Sequence, residues 1–376
     1  MPRKGENIYK RKDGRWEGRY IRSRDANNKA QYGYVYGKGY KAVKQKILAR
    51  QLLCLQPATE HKTENVLYAD LLDSWLSLSK LKTKESTYAR YSHLVRTHII
   101  PNLGKYAVSE LTEQIIGTFI TQQLTDGRLD HKGGLAAKTV IDIIVIIKSS
   151  IEYARYKGID VSCDLSKLTV KKQEKKMRVL SVKEQKQLVG ILMQDMDQSK
   201  FGVLLSLYTG IRIGELCALQ WDDICLAQAT LKIKKTMQRI QTTESGMPAK
   251  TKIVITEPKS MCSIREIPLP EFLVEIAGKF SNDSKAFVLT GEANHYIEPR
   301  TMQNRFKTYI SESGIEDANF HALRHTFATR CVEVGFEIKS LSEILGHANV
   351  NITLNRYVHA SFEMKHLNMS KLSLPL

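Results

Sequence analysis

From residue 66 onward the chain repeats apolar side chains at helical spacing, in stretches closed by glycine or proline, a pattern that predicts bundled helices. Leu67, Leu71, Leu72, Trp75 and Leu78 set the spacing within residues 66–81. Residues 83–94 are a second helical stretch, ended near Pro101-Asn102-Leu103-Gly104, and residues 111–124 are a third. After the Gly133-Gly134 loop, residues 136–157 form a long apolar helix closed by Gly158. Ser181 and Glu184 have the spacing of a capping box, so a further helix and a further domain begin there.

The first 55 residues follow a different period. Three short runs, 6–11, 16–22 and 31–36, have strand character. The turn Lys12-Asp13-Gly14 separates the first two, and a polar turn through Asp25, Asn27 and Asn28 precedes the third. Residues 41–55 then read as a helix that packs Val43, Ile47, Leu48 and Leu52 on the sheet. The expected fold is mixed but mainly α. It has a small N-terminal three-stranded sheet plus helix over 1–58 and a helical domain over 64–163. A basic linker over 164–178 leads to an α-rich domain with a small β-sheet over 179–360, and a tail follows over 361–376.

Charge narrows the function. Lys and Arg number 57 against 39 Asp and Glu, a formal net charge of +18. Such an excess attracts polyanions, because each phosphate neutralised releases condensed counterions. In the N-terminal sheet Arg15, Arg19 and Arg22 interleave with Tyr32, Tyr34 and Tyr36, as a sheet lying in a DNA major groove requires. Lys82, Lys84 and Lys138 at the edges of the helical domain, and Lys171 and Lys172 in the linker, are candidate phosphate contacts. No apolar run approaches the roughly 20 residues that span a bilayer, and the N-terminus lacks the apolar segment of a secretory signal, so a cytoplasmic protein is expected. The six cysteines are scattered and form no CxxC pair, which fits reduced, small apolar side chains.

Four segments of the last domain carry chemistry. In Thr209-Gly210-Ile211-Arg212-Ile213-Gly214-Glu215, one helix ends at Gly210 and another starts near Gly214, placing Arg212 at a junction with Glu215 as its orienting partner. Lys259, in Glu257-Pro258-Lys259-Ser260, falls in the turn of an expected hairpin leading to the strand Glu266-Ile267-Pro268-Leu269. In His321-Ala322-Leu323-Arg324-His325, the residues His321, Arg324 and His325 share one helix face. Two histidines four apart suggest zinc, but Ala322 stands where the metalloprotease glutamate would be, and an arginine among the ligands would repel a dication. Finally Gly346 offers a sharp turn that presents His347, and Tyr357 follows ten positions later. Taken singly, each of these is what an ordinary surface arginine, turn lysine or packed tyrosine would give.

Taken together and in this order, the segments resemble the tyrosine recombinase (phage integrase) family across 181–360, with its arginine, hairpin lysine, HxxR, LGH histidine and downstream tyrosine. The preceding helical domain is similar to the family's core-binding domain. The N-terminal sheet resembles the arm-binding domain of conjugative-transposon integrases, and residues 236–256 resemble an extra β-hairpin of that subgroup. The resemblance implies a site-specific DNA recombinase in which Tyr357 attacks a phosphodiester, forming a 3′-phosphotyrosyl link and releasing a 5′-hydroxyl. Arg212 and Arg324 would clamp the nonbridging oxygens and His347 would donate to them. His321 would act as general acid/base toward the nucleophile, Lys259 would protonate the leaving oxygen, and His325 is expected to be structural. No cofactor, metal or ATP is implied. The implied partners are double-stranded DNA at core and arm sites and three further copies, a homotetramer passing through a Holliday junction. A small directionality factor and a host DNA-bending protein are candidate accessories, and no membrane is involved. The apolar tail (Phe362, Met364, Leu367, Met369, Leu372, Leu374) docks either on a neighbouring protomer or on its own. Two rivals stay open: a type IB topoisomerase, which strand exchange between duplexes would separate, and a non-catalytic DNA-binding regulator, which a cleavage assay would separate.

Overall fold

The computed structural model describes residues 7–11, 14–24, 30–37, 39–55, 66–161, 163–171, 177–242, 251–258, 261–281, 283–357 and 369–370. The expected tail contacts other than Met369, which is exposed, fall outside these residues, as do Lys172, Lys259 and the side chain of Arg22. Two compact units divide the chain: Met1–Trp75 with Ile99–Gly134 and Ile144–Leu168, and Leu76–His98 with Leu135–Ile143 and Thr169–Leu376. The fold is mainly helical with small antiparallel sheets, as the periodicities predict.

In the first unit, β1 (Ile8–Lys10), β2 (Trp16–Arg24) and β3 (Ala30–Gly37) form an antiparallel sheet in that order. The helix α1 (Tyr40–Leu55) buries Val43 completely. Glu17 is buried within the sheet, where it accepts from the Tyr9 hydroxyl and from Arg11 Nη1 at 2.7 Å, so a buried carboxylate keeps a cationic partner. Tyr32, Tyr34 and Tyr36 line an exposed row on β3.

The helices α2 (Tyr68–Lys82), α3 (Glu85–Leu94), α4 (Ile100–Leu103), α5 (Glu113–Asp126) and α6 (Ala137–Tyr156) follow. Tyr68 is buried against Ser150, hydroxyl to hydroxyl at 2.7 Å, and Trp75 Nε1 donates to Ser149 Oγ at 3.2 Å, so α2 and α6 share polar as well as apolar contacts. The second helical stretch runs on past Leu94 through a π-helical turn at Val95–Ile99 and ends at Leu103, within the Pro101–Gly104 segment expected. The wider turn accommodates a proline, whose ring would clash with a carbonyl four residues back in a regular helix.

Within the second unit, the stretch from Thr169 onward begins its helices with α7 (Val182–Met193), capped by the expected box: Ser181 Oγ accepts from Glu184 N, and Glu184 accepts from Ser181 N at 2.7 Å. Next come α8 (Gln198–Thr209) and the short α9 (Ile213–Cys217). The strands β4 (Ile224–Cys225), β5 (Thr230–Ile233), β6 (Thr236–Gln241), β7 (Thr251–Thr256) and β8 (Arg265–Pro268) follow, then α10 (Glu271–Phe280) and α11 (Pro299–Glu312). The chain of this unit ends on α12 (His321–Glu333), α13 (Ile338–Leu345) and α14 (Val350–Tyr357). Strands β4, β5 and β8 form one sheet, and β6 pairs with β7 in a hairpin at the place expected. The core centres on α8, whose residues from Phe201 to Leu207 are all buried, which explains why that helix reads as apolar on every side.

The end of α8 is set by Gly210 at φ +66°, a left-handed cap. A Cβ there would lie 2.5 Å from Phe327 Cδ1 and 3.0 Å from Leu345 Cδ2. Gly210→Ala should therefore destabilise the protein by roughly 1–3 kcal/mol, through strained backbone and a clash with α12. Urea denaturation reads this directly, and an unchanged midpoint would contradict the assignment.

Candidate active site

The site is built where two helices end. The last carbonyls of a helix have no partner within it and carry the negative end of its dipole. Arg324, on α12 and only 2% exposed, meets two such ends: Nη1 donates to the Gly210 carbonyl after α8 at 2.7 Å, and Nη2 to the Leu345 carbonyl of α13 at 2.6 Å. Each of these carbonyls lies two residues before a predicted site residue, Arg212 after Gly210 and His347 after Leu345. Gly346 completes the second turn at φ +63°, where a Cβ would come within 3.1 Å of both Arg265 Cδ and the Cys262 carbonyl. Burial, then the charge of Arg212, pushes Arg324 down to about 9, which still leaves it cationic at neutral pH.

Arg212 sits at the N-cap of α9, as the glycine spacing predicts. Its Nη1 donates to Glu215 Oε1 at 2.8 Å and its backbone N–H to Oε2 at 2.9 Å. The buried Glu215 carboxylate also receives Arg265, Nη2 to Oε2 at 2.8 Å and Nη1 to Oε1 at 3.2 Å. Arg265 in turn donates Nε to the Ile344 carbonyl at 2.6 Å. Burial opposes the Glu215 charge, but the hydrogen bonds and charge of Arg265, together with Arg212, hold its carboxyl below the ordinary range. One carboxylate thus organises two guanidiniums, and Arg212, with 37% of its side chain exposed, is the one open to a ligand from outside.

Tyr357 ends α14 and is buried. Its ring lies parallel to His347 with centroids 6.4 Å apart, and its hydroxyl is 2.9 Å from His325 Nδ1. His321 stands edge-on to His325, ring centroids 4.6 Å apart. His347 is held from both sides: Arg324 Nη2 lies 3.0 Å from its Nε2, and Thr353 Oγ1 lies 2.8 Å from its Nδ1. A guanidinium can only donate, so His347 Nε2 carries the lone pair and Nδ1 carries the proton. Burial, followed by the surrounding arginines, brings His321 and His347 down to about 4. Burial, followed by His321 and the arginines, does the same for His325. Burial likewise raises Tyr357 above its ordinary value, against the opposing pull of Arg324 and Arg356. The site is therefore a set of neutral imidazoles and a neutral phenol inside fixed positive charge, arranged to receive an anion.

The fold brings Arg212, His321, Arg324, His347 and Tyr357 together. Lys259 itself is not described, and the strands flanking it pair in different sheets, β7 with β6 and β8 with β5. The hairpin expected between β7 and β8 is therefore absent among the described residues. The imidazole in contact with the phenol is that of His325, expected to be structural, and His321 stands against His325. Arg265 and Thr353 were not singled out as site residues at all. Arg265 had a signal, since it stands in phase with the buried Ile267 and Leu269 along the β8 segment, where alternation puts every second side chain inward.

Among the candidate DNA contacts, Arg15, Lys82 and Lys171 are exposed, and the Arg19 guanidinium lies 3.5 Å from the Tyr32 ring centroid. Lys84 donates to the carbonyls of Glu257 and Pro258, and Lys138 pairs with Asp142 at 2.7 Å, which Arg90 also engages. Exposed pairs of this kind exchange cheaply for a phosphate. No described helix is long and apolar enough to cross a membrane.

The profile of the Phage integrase family matches residues 178–364, and that of the phage integrase N-terminal SAM-like domain matches 67–123. A XerC-like tyrosine recombinase of Caldanaerobacter subterraneus is 27% identical over 360 residues, covering 89% of this chain and 90% of that protein. The Tn1549 transposon integrase in complex with circular intermediate DNA superposes with a TM-score of 0.64 at 20% identity, over 82% of this chain and all of that one. A lambda integrase tetramer bound to a Holliday junction gives 0.57 at 16% identity, over 97% of this chain and 99% of that one. At these identities the structural likeness is one of fold.

Two outcomes test the site's electrostatics. Glu215 has a depressed folded-state pKa, so its contribution is complete above the ordinary value of 4.5 and is lost as pH falls through the folded-state value. Glu215→Gln should cost about 3–5 kcal/mol at pH 7, the typical cost of breaking a buried pair, and the gap to wild type should narrow as pH is lowered. A gap that stays constant down to pH 3 would sink this account. Nitrogen-15 NMR of the DNA-free protein at pH 7 should show His347 neutral with its proton on Nδ1, and a proton on Nε2 would rule out the arrangement around Arg324.

Proposed function

This chain belongs to the tyrosine recombinase (phage integrase) family of site-specific DNA recombinases, and we propose that it cuts and rejoins DNA through Tyr357, without metal or ATP. The observation that carries the reading is the phenol stacked on His347, itself in contact with Arg324, within one cage of positive side chains. Tyr357 attacks the scissile phosphorus, forming a 3′-phosphotyrosyl ester and releasing a 5′-hydroxyl, so the bond energy is kept for religation. Charge builds on the nonbridging oxygens, where Arg212 and Arg324 stabilise it. His347 joins them once the phosphate displaces the Arg324 contact and its single proton shifts from Nδ1 to Nε2, Nδ1 then accepting from the Thr353 hydroxyl. His321 assists proton movement beside the nucleophile, and Lys259 protonates the leaving oxygen.

The substrate is double-stranded DNA, which the net charge of +18 suits. The proposed organisation is an arm-binding sheet over 1–58, a core-binding domain over 64–163, a linker over 164–178, the catalytic domain over 179–360 and a tail over 361–376 that docks in trans. The SAM-like profile at 67–123 supports the second of these. Likeness to a transposon integrase and to a Holliday-junction tetramer supports strand exchange for a mobile element by a homotetramer; a conjugative transposon, a cytoplasmic setting, a directionality factor and a host bending protein complete the proposed reading.

A nicked suicide duplex carrying the end of the element that encodes this chain tests the chemistry. Tyr357→Phe should bind it yet never become covalently attached, and a phosphotyrosyl adduct in that variant would remove the nucleophile. Arg212→Ala and Arg324→Ala should keep affinity while losing about 100- to 1000-fold in cleavage rate, the usual loss for one oxyanion contact. Cleavage at the wild-type rate in both would remove the clamp.

A further inference from the structure

We propose that His325 is a catalytic residue: its Nδ1 accepts the Tyr357 proton as the phenolic oxygen bonds to phosphorus. The inference rests on Tyr357 being the nucleophile. A buried phenol cannot shed its proton to bulk water, so the acceptor must be in contact with it. Arg212, Arg324 and Arg356 have no lone pair to offer. Both nitrogens of His347 are engaged, by Arg324 and Thr353. His321 stands against the ring of His325, which in turn stands against the phenol. His325 is left, with Nδ1 2.9 Å from the phenolic oxygen, within the distance that proton transfer needs.

The balance is simple. The Tyr357 oxygen forms a bond to phosphorus, the bond from phosphorus to the 5′ oxygen breaks, the phenolic proton passes to His325 Nδ1, and the Lys259 ammonium protonates the 5′ oxygen. His321 and Arg324 on its own helix, and Tyr357 and Arg356 on α14, are the groups that bear on the charge of His325. Burial and these cations keep the imidazole neutral before reaction, ready to accept. They also make the imidazolium a strong acid, which returns the proton to the phenol when religation breaks the phosphotyrosyl ester.

The test uses the full chain and the same nicked duplex, with and without a 5′-bridging sulfur at the scissile phosphate, a leaving group that needs no proton. His325→Asn keeps an acceptor near the Nδ1 position but cannot take up the proton. It should bind DNA as wild type does, cleave about 100- to 10,000-fold slower, and gain nothing from the sulfur. Its rate should climb about tenfold per pH unit on the alkaline side, as the phenol ionises unaided, while wild type stays flat. Lys259→Ala should show the opposite, rescue by the sulfur. His325→Ala with imidazole in the buffer is the second variant, and recovery of cleavage there requires a folded site with a vacant base position. Cleavage by His325→Asn at the wild-type rate, rescue of it by the sulfur, or a flat pH profile overturns the proposal. Wild type forming no adduct would instead defeat the reading of Tyr357.

Discussion

One buried guanidinium ties the site together. Arg324 takes the carbonyls of Gly210 and Leu345, the open ends of α8 and α13, and so brings two segments more than 130 residues apart in the chain, at Arg212 and His347, to the same place. The planar fork matters, because two divergent carbonyls and an imidazole are reached from one rigid group. The same group that stabilises a developing anion thus also satisfies two helix ends and a histidine in the interior.

The charge pattern around it explains why the pocket suits an anion. Glu215 is shared between Arg212 and Arg265 rather than matched one to one, so the cluster keeps a positive surplus. The imidazoles stay uncharged beside it, which avoids adding further positive charge to a buried cage. A phosphodiester entering such a site supplies the missing counter-charge, and fixed donors need little reorganisation as charge develops on its oxygens.

Much of this was legible beforehand for specific reasons. Gly210 and Gly346 mark helix ends because each adopts a left-handed conformation that an ordinary residue resists, so the positions of Arg212 and His347 at turns could be read directly. The Ser181 capping box announced α7 for an equally local reason. The end of the helical stretch near Pro101–Gly104 was equally legible, whereas the π turn at Val95–Ile99 that carries the helix there has no sequence motif of its own. The segment of Lys259 was read as a hairpin because strand pairing is a long-range choice: β8 pairs with β5, some 35 residues earlier, rather than with the adjacent β7.

By itself the amino-acid order determined the helical architecture, the basic surface and the set of polar side chains available to the site, since periodicity, caps and charge act within a few residues. Which histidine meets Tyr357 was decided only by tertiary structure. His321 and His325 lie on one face of one helix and are equivalent by spacing, and the crossing of α14 against α12 sets the Tyr357 hydroxyl 2.9 Å from the second of them. The burial that holds the imidazoles neutral has the same origin, because desolvation is a property of the packed assembly and not of any residue in it.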